Sequence, residues 1–129
     1  ITTGNDAGDC GANVNWIAPT ATDNCSGVTL TSSHNPGDAF PTGTTTVTYT
    51  ATDATGNTVT CSFDITVNDT ENPVIADCPS DIAIGNTIGN CDGIATWTVP
   101  TVTDNCPGVT MTASHAPGDV FPLGTTTVT

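Results

Sequence analysis

The sequence contains no lysine and no arginine, although it has 13 acidic residues and a formal net charge of −13. Because nucleic-acid binding depends on basic side chains that neutralise phosphates, this absence argues against a nucleic-acid partner. It argues equally against an anionic membrane surface. No apolar run approaches the roughly 18 residues that a membrane-spanning helix needs, so membrane insertion is not expected. Cations are the natural counterions of such a chain, with calcium first among them.

Aromatic residues make up only 5% of the chain, yet hydrophobic residues reach 36%. Many of these are β-branched Val and Ile among abundant Thr, which favour strands because a branched side chain packs well on a pleated surface. The composition therefore predicts an all-β protein and argues against disorder.

Close Cys-x-x-Cys pairs, the usual mark of a zinc site, are also absent. The six cysteines are widely spaced, and no two lie closer than 13 residues: Cys10, Cys25, Cys61, Cys78, Cys91 and Cys106. Such spacing among short strands predicts a disulfide framework and hence an oxidising, extracellular location, either secreted or at the cell surface.

An internal repeat is the most informative feature that is present. Trp16 recurs as Trp97 and Cys25 as Cys106, in both cases 81 positions later. Residues 1–48 align with residues 82–129 without a gap, and 29 of these 48 positions are identical. The chain therefore reads as a tandem array of period 81 that begins and ends inside a repeat.

Residues 68–73 form the only polar, strand-breaking stretch that joins two copies. We place the boundary there, with a first domain at residues 1–70 that lacks its first strand and a second at 71–129 that lacks its last strands. This organisation has two interpretations. The chain is a window on a long array, which we favour, or a subunit that completes its sandwich with strands of a neighbour.

The hydrophobic pattern predicts six strands within one period. In Val47, Tyr49 and Ala51, alternate residues face a core, whereas the intervening threonines face water. Residues 53–57 have hairpin turn chemistry, with Gly56 able to adopt positive φ. The predicted strands are residues 74–84 (broken at Pro79), 93–99, 109–114, a short segment around 120–121, 44–52 and 58–67. Strands at this spacing indicate a two-sheet sandwich.

Four motifs carry a family resemblance: Asp-Asn-Cys, Phe-Pro-x-Gly-Thr-Thr-Thr-Val-Thr, Ala-Thr-Asp-Ala-Thr-Gly-Asn and Asn-Pro-Val-Ile-Ala-Asp-Cys-Pro. With these, the chain resembles the hyalin repeat (HYR) family over essentially its whole length. The resemblance implies tandem immunoglobulin-like β-sandwich repeats, here of 81-residue period and stapled by disulfides, in extracellular adhesion and surface proteins. It offers no catalytic residues.

The expected function is a structural repeat of an extracellular fibre, filament or stalk, assembled end to end from near-identical copies. Its partners would be further copies of the repeat and covalent glycans. Two alternatives stay open. One is a calcium-dependent adhesin that binds a glycan or protein, and the other is a spacer domain of a larger secreted enzyme.

Strand direction in such a sandwich suggests how the cysteines pair. A strand of about eight residues separates its two ends by roughly 25 Å, too far for a disulfide. Cysteines at the same end of the sandwich are therefore expected to pair, as Cys10–Cys61 and Cys78–Cys106. Cys25 and Cys91 would then pair with cysteines one period outside this sequence. The rival set is Cys10–Cys25 with Cys91–Cys106.

The frame Ser-His-x-Pro-Gly-Asp occurs at residues 33–38 and again at 114–119. It contains the residue types of a hydrolase triad, but adjacent residues of a strand point to opposite faces. No strand-to-helix turn exposes a nucleophile either. We therefore interpret the frame as a structural turn and expect no enzyme. Trp16 and Trp97 are likewise interpreted as core residues rather than as platforms for sugar stacking.

The linker is similar to the acidic linkers with which cadherin-type repeats bind calcium. No cofactor is required by the sequence, but calcium is the one ligand it suggests. Because calcium takes six to eight oxygen ligands, neighbouring loops would have to contribute. The candidate ligands are Asp69, Glu71, Asn72, Asp104 and Asn105, with Asp6, Asp9 or Asp38 as further contributors.

Two Asn-x-Ser/Thr sequons, at Asn68 and Asn24, are candidate glycosylation sites. The second is disfavoured if Cys25 is held in a disulfide. Exposed rows of threonine offer further hydroxyls for O-linked sugars.

Overall fold

A computed structural model describes all residues from 1 to 129 and shows an all-β chain. It contains no helix of a length and hydrophobicity that would cross a membrane. The strands are β1 (Thr2–Gly4), β2 (Gly11–Asn13), β3 (Thr29–Ser32), β4 (Ala39–Pro41), β5 (Gly43–Thr52), β6 (Thr58–Asn68), β7 (Val74–Ala76), β8 (Asp92–Ile94), β9 (Thr101–Thr103) and β10 (Val120–Pro122). The chain divides into two compact units, Ile1–Glu71 and Asn72–Thr129.

The first unit has two layers. One is a four-stranded sheet of order β1-β6-β5-β3, and the other is the antiparallel pair β2-β4. Within the larger sheet β5 is antiparallel to β3 and β6, whereas β1 runs parallel to β6. This is the two-sheet architecture that the sequence predicts.

The core of the first unit lies between these layers. Its buried members are Ala12, Val14, Phe40, Val47, Tyr49, Ile65 and Val67. They come from both layers, and on β5 and β6 they alternate with polar residues, as expected for strands with one buried face. Trp16 packs against this cluster, as predicted, with its ring 6.0 Å from that of Phe40 and 5.5 Å from that of Phe63.

The β5–β6 hairpin is the longest element, with ten residue pairs in register from Gly43↔Val67 to Thr52↔Thr58. Its turn follows the prediction, because Gly56 has a φ of 94° and Asp53 closes the loop. The Asp53 amide donates to the carbonyl of Asn57 at 3.0 Å. Its carboxylate accepts hydrogen bonds from Thr55 and from both the backbone and the side chain of Asn57.

Hydrogen bonds from the side chains of Asn57 and then Thr55 lower the pKa of the Asp53 carboxyl from 3.8 to about 2. Because the pKa is lower in the folded state, the ionised carboxylate stabilises the hairpin above pH 3.8, and this contribution is lost as pH falls through about 2. We expect an NMR titration of this carboxyl to show a midpoint near 2. In an Asp53→Asn variant, the chemical shifts of the turn should no longer change over that interval. A midpoint near 3.8 would show that the turn hydrogen bonds do not form in solution.

The second unit contains two short antiparallel pairs, β7-β9 and β8-β10. The pair β8-β10 repeats β2-β4 of the first unit, since Pro122↔Asp92 stands where Gly11↔Pro41 stands, 81 residues earlier. Residues 124–129 correspond to the start of β5, and the sequence given holds no counterpart of β6.

Several strand predictions for the second unit were wrong in extent. Residues 109–114 form no strand, although the equivalent β3 does, because β3 is held by a complete β5. The strand expected over 74–84 ends at Ala76, where Asp77 takes a φ of 60°. The one expected over 93–99 is limited to Asp92–Ile94, and β9 was not predicted.

Candidate functional site

The Ser-His-Asp frame forms a turn in both copies. Ser33 Oγ lies 3.1 Å from His34 Nδ1, so the expectation that these side chains point apart was wrong; both residues lie in a bend rather than in a strand. The Asp38 carboxylate instead accepts a hydrogen bond from the Asn35 amide at 2.7 Å. Ser33 Oγ also accepts from the amide of Thr48 at 3.0 Å. These bonds join the turn to β5, which is a structural role.

The second copy repeats this geometry. His115 Nδ1 lies 3.1 Å from Ser114 Oγ, and the Asp119 carboxylate accepts from the Ala116 amide at 2.9 Å. Both histidine rings tilt against the phenylalanine of the same copy, at 5.1 Å from Phe40 and 5.0 Å from Phe121.

The cysteines do not form the predicted pairs. One member of each favoured pair, Cys61 and Cys78 respectively, carries a free thiol, whereas Cys10 takes part in a disulfide, as does Cys106. The free and exposed thiols are those of Cys25, Cys61, Cys78 and Cys91. Neither the favoured set nor the rival set is therefore formed.

The first unit explains why Cys10 and Cys61 do not meet. Cys10 adjoins the β2-β4 layer, where its Sγ lies 3.5 Å from Thr42 Oγ1. Cys61 lies on β6 opposite Tyr49, on the stretch of the larger sheet that leads to the hairpin turn. The two cysteines belong to different layers, a separation that strand direction alone does not reveal.

Acidic residues of the first unit accept hydrogen bonds from backbone and side-chain groups of its loops. Asp6 accepts hydrogen bonds from both the backbone and the side chain of Asn13, each at 2.9 Å. Glu71 Oε1 accepts from the Gly8 amide at 2.7 Å, and Asp69 Oδ1 accepts from the Glu71 amide at 3.2 Å.

The remaining candidate ligands lie in the second unit. Asp104 Oδ1 accepts a hydrogen bond from the Cys106 amide at 2.8 Å. Asn105 is half-buried, and Asn72 is exposed beside the linker proline. The calcium site stays a prediction.

Chelation tests that prediction. Calcium that binds only the folded chain would stabilise it by about 2.7 kcal/mol at a concentration 100 times its Kd. If calcium binds, we therefore expect EDTA to lower the Tm of the calcium-equilibrated chain. In an Asp104→Asn variant, the Tm with calcium and the Tm with EDTA should be equal. Asp77→Asn is the matched control, since Asp77 is exposed and outside the candidate set. Equal Tm values with calcium and with EDTA would exclude the site.

The sequence reasoning missed Asn5, which anchors the start of the linker. Its Oδ1 accepts hydrogen bonds from the amide and the hydroxyl of Thr70, both at 2.9 Å. Its side-chain amide donates to the carbonyl of Asp9 at 2.9 Å, and the equivalent Asn86 donates to Asn90 in the same way at 3.0 Å. The repeated Gly-Asn dipeptide at residues 4–5 and 85–86 was the signal available.

The outer face of the larger sheet is covered with hydroxyl groups; we call it the threonine face. Its cross-strand pairs on β5 and β6 are Thr44↔Thr66, Thr46↔Asp64, Thr48↔Ser62, Thr50↔Thr60 and Thr52↔Thr58. Thr46 donates to the Asp64 carboxylate at 2.7 Å, the one charged group in these pairs. The face thus presents a regular array of hydroxyl groups.

Both predicted sequons are accessible. Asn68 is the exposed last residue of β6, and Asn24 is exposed in the loop before β3. Cys25, the middle residue of the second sequon, carries a free thiol in the structure.

Two stretches of the chain, residues 1–67 and 68–129, match the family model of the HYR domain. Hyalin from Lytechinus variegatus is 48% identical over 120 residues, which cover 90% of this chain and 22% of that protein. Hyalin from Strongylocentrotus purpuratus is 42% identical over 130 residues, covering 96% of this chain and 11% of that protein.

A third relative is the sushi, von Willebrand factor type A, EGF and pentraxin domain-containing protein 1 of Rattus norvegicus. It is 40% identical over 121 residues, which cover 91% of this chain and 3% of that protein. The chain therefore spans less than a quarter of each of these relatives. No solved structure matches it. The two family matches, which together take in the whole sequence, confirm the resemblance: the chain belongs to the HYR domain family and carries two copies of its immunoglobulin-like repeat.

Proposed function

We propose that this chain is part of an extracellular fibre, filament or stalk built end to end from near-identical HYR repeats. The observation that carries the proposal is the gapless 81-residue period, with 29 identities in 48 aligned positions across two HYR matches. Repeats that contact only their neighbours extend in one dimension, so length scales with copy number. The relatives named hyalin are consistent with this, since the chain matches a small part of a much longer protein.

The charge of the chain supports an extended, unbundled form. With 13 acidic residues and no lysine or arginine, neighbouring rods repel one another and stay soluble. The linker contains Pro73, which stiffens the connection between copies. The result is a semi-rigid rod.

Imaging of defined arrays tests this proposal. Recombinant chains with two, four and eight copies of the period should show contour lengths that rise in equal steps. Since β5 has ten residues and a strand rises about 3.3 Å per residue, each step should be on the order of 30 Å or more. A matched set with Gly-Ser in place of Asn72-Pro73 should keep the contour length but bend more freely. Globular particles whose size does not grow linearly would refute the proposal.

A spacer in a mosaic protein is the second candidate. The Rattus norvegicus relative is named for sushi, von Willebrand factor type A, EGF and pentraxin domains, and it contains a segment similar to this chain. In that setting the repeats would separate other domains rather than form a polymer. Flanking sequence with many more copies favours the fibre, and flanking domains of other kinds favour the spacer.

We further propose that the chain carries covalent glycans, on Asn68, on Asn24 or on the threonine face. The accessibility of these groups supports this. The native protein is expected to exceed its polypeptide mass, and peptide-N-glycosidase should remove the excess only where Asn68 or Asn24 carries it. A native mass equal to that of the bare polypeptide would rule out glycosylation.

A further inference from the structure

The polar linker that follows β6 is bound by the loop between β1 and β2 of the same unit. Asn5 Oδ1 accepts hydrogen bonds from the amide and the hydroxyl of Thr70, both at 2.9 Å. The Gly8 amide donates to Glu71 Oε1 at 2.7 Å. We call these three hydrogen bonds the linker latch.

Asn5 is held in the orientation that the linker latch requires. Its backbone N–H donates to the carbonyl of Asn68 at 2.9 Å, and its side-chain amide donates to the carbonyl of Asp9 at 2.9 Å. Because the side-chain nitrogen is engaged by the loop, Oδ1 is fixed on the side of Thr70. An acceptor that is already ordered binds the linker at a smaller entropic cost.

Gly4 allows Thr70 to lie directly against the backbone of β1. A Cβ atom at this position would stand 2.9 Å from Thr70 Oγ1 and 3.3 Å from Thr70 Cγ2. A larger residue would therefore displace the threonine side chain from its hydrogen bond with Asn5. Both residues of the Gly-Asn dipeptide thus contribute to the binding of the linker.

The linker latch lies at the boundary of the first unit, whose last residue is Glu71. Residues 69–71 are exposed and form no strand, as is typical of segments at which proteases cut. Glu71 is the only glutamate of the sequence, which also has no lysine and no arginine. A trypsin-like protease therefore finds no cleavage site, and a glutamate-specific protease finds one, after Glu71.

We propose that the linker latch protects the junction between repeats from proteolysis. A protease has to bind the Glu71 side chain and the backbone before it, and in the latched state the loop already binds both. Cleavage then requires the latch to open, so its rate follows the population of the open form. This protection does not depend on fibre formation, because a spacer has the same junction.

Limited proteolysis with a glutamate-specific endoproteinase tests the proposal. The native chain is digested beside a synthetic peptide of residues 66–76, which has the same cleavage site without the loop. Mass spectrometry measures the rate of hydrolysis after Glu71. We expect the native chain to be cut at least about tenfold more slowly than the peptide, since several hydrogen bonds must break before the protease binds. Equal rates would overturn the proposal.

A matched pair of variants tests the role of Asn5. Asn5→Ala removes the acceptor of two latch bonds, so cleavage should be on the order of tenfold faster than in the unaltered chain. Asn86→Ala is the control. Asn86 donates to the Asn90 carbonyl at 3.0 Å, as Asn5 does to Asp9, but makes no hydrogen bond with the linker. Cleavage of the Asn5→Ala chain no faster than that of the Asn86→Ala chain would contradict the proposal.

A third variant keeps the test decisive if Asn5→Ala lowers the Tm of the first unit. Thr70→Val removes one hydroxyl from an exposed residue and leaves the loop unchanged. Its cleavage, relative to a peptide with the same substitution, should be at least about threefold faster than that of the unaltered chain relative to its own peptide. An unchanged relative rate would overturn the proposal. Neither result bears on the contour lengths that test the fibre.

Discussion

Replacement of Phe40 by alanine is expected to lower the free energy of unfolding of the first unit by about 3–5 kcal/mol. Phe40 is 1% exposed and lies at the centre of the core, on β4 opposite Ala12. Its removal leaves a cavity between the two layers and takes away the ring against which Trp16 packs. Urea unfolding followed by Trp16 fluorescence, in a Trp97→Phe background, measures the change.

The matched control is Phe121→Ala, at the same position of the second copy. Phe121 is only half-buried, so its truncation exposes little new apolar surface and leaves a smaller cavity. Its own effect should be well below that of Phe40→Ala and should not appear in the Trp16 signal. Equal and small effects of the two substitutions would show that Phe40 is not a core residue.

Replacement of Tyr49 by phenylalanine is expected to destabilise the first unit by about 1–2 kcal/mol. The Tyr49 hydroxyl accepts a hydrogen bond of 2.7 Å from Trp16 Nε1, and Tyr49 is 5% exposed. Without the hydroxyl, the indole N–H keeps its place over the core but loses its partner. The same urea titration measures the loss.

A double-mutant cycle isolates this hydrogen bond from packing. Trp16→Phe removes the donor, and the double variant Trp16→Phe/Tyr49→Phe removes both partners. Circular dichroism follows unfolding here, since two members of the cycle lack the reporter tryptophan. If the bond forms in solution, the double variant should be more stable than the sum of the single changes predicts. Strict additivity would mean that the two side chains do not interact.

The long hairpin was predictable from sequence because its signal is local. On β5, threonines alternate with Val47 and Tyr49, and the turn contains Gly56, so period and turn chemistry agree. The structure places β5 and β6 within one residue of the predicted ends. Trp16 packs against the core as predicted, although it lies after the end of β2 rather than within a strand.

The short strands were not predictable from sequence. Whether these residues form a strand depends on the strand that pairs with them rather than on their own sequence. Residues 101–103 become β9 only where β7 lies beside them, and the equivalent residues 20–22 form no strand. Residues 109–114 have the pattern of a strand but lack a full β5 to pair with. Three-residue elements carry too little periodicity to be recognised alone.

The predicted cysteine pairs were wrong for a related reason. Strand direction assigns each cysteine to one end of the sandwich, but it does not say in which layer the cysteine lies. Cys61 lies on β6 of the larger sheet, whereas Cys10 adjoins the other layer.

The mass of the native protein after boiling in denaturant and reductant tests the tandem-array account most directly. Successive repeats joined by peptide bonds resist both treatments, so the account predicts that material of very high mass persists. A polymer held together by exchanged strands and disulfides would fall apart into subunits. Collapse to species near the 12.9 kDa of this chain would contradict the account.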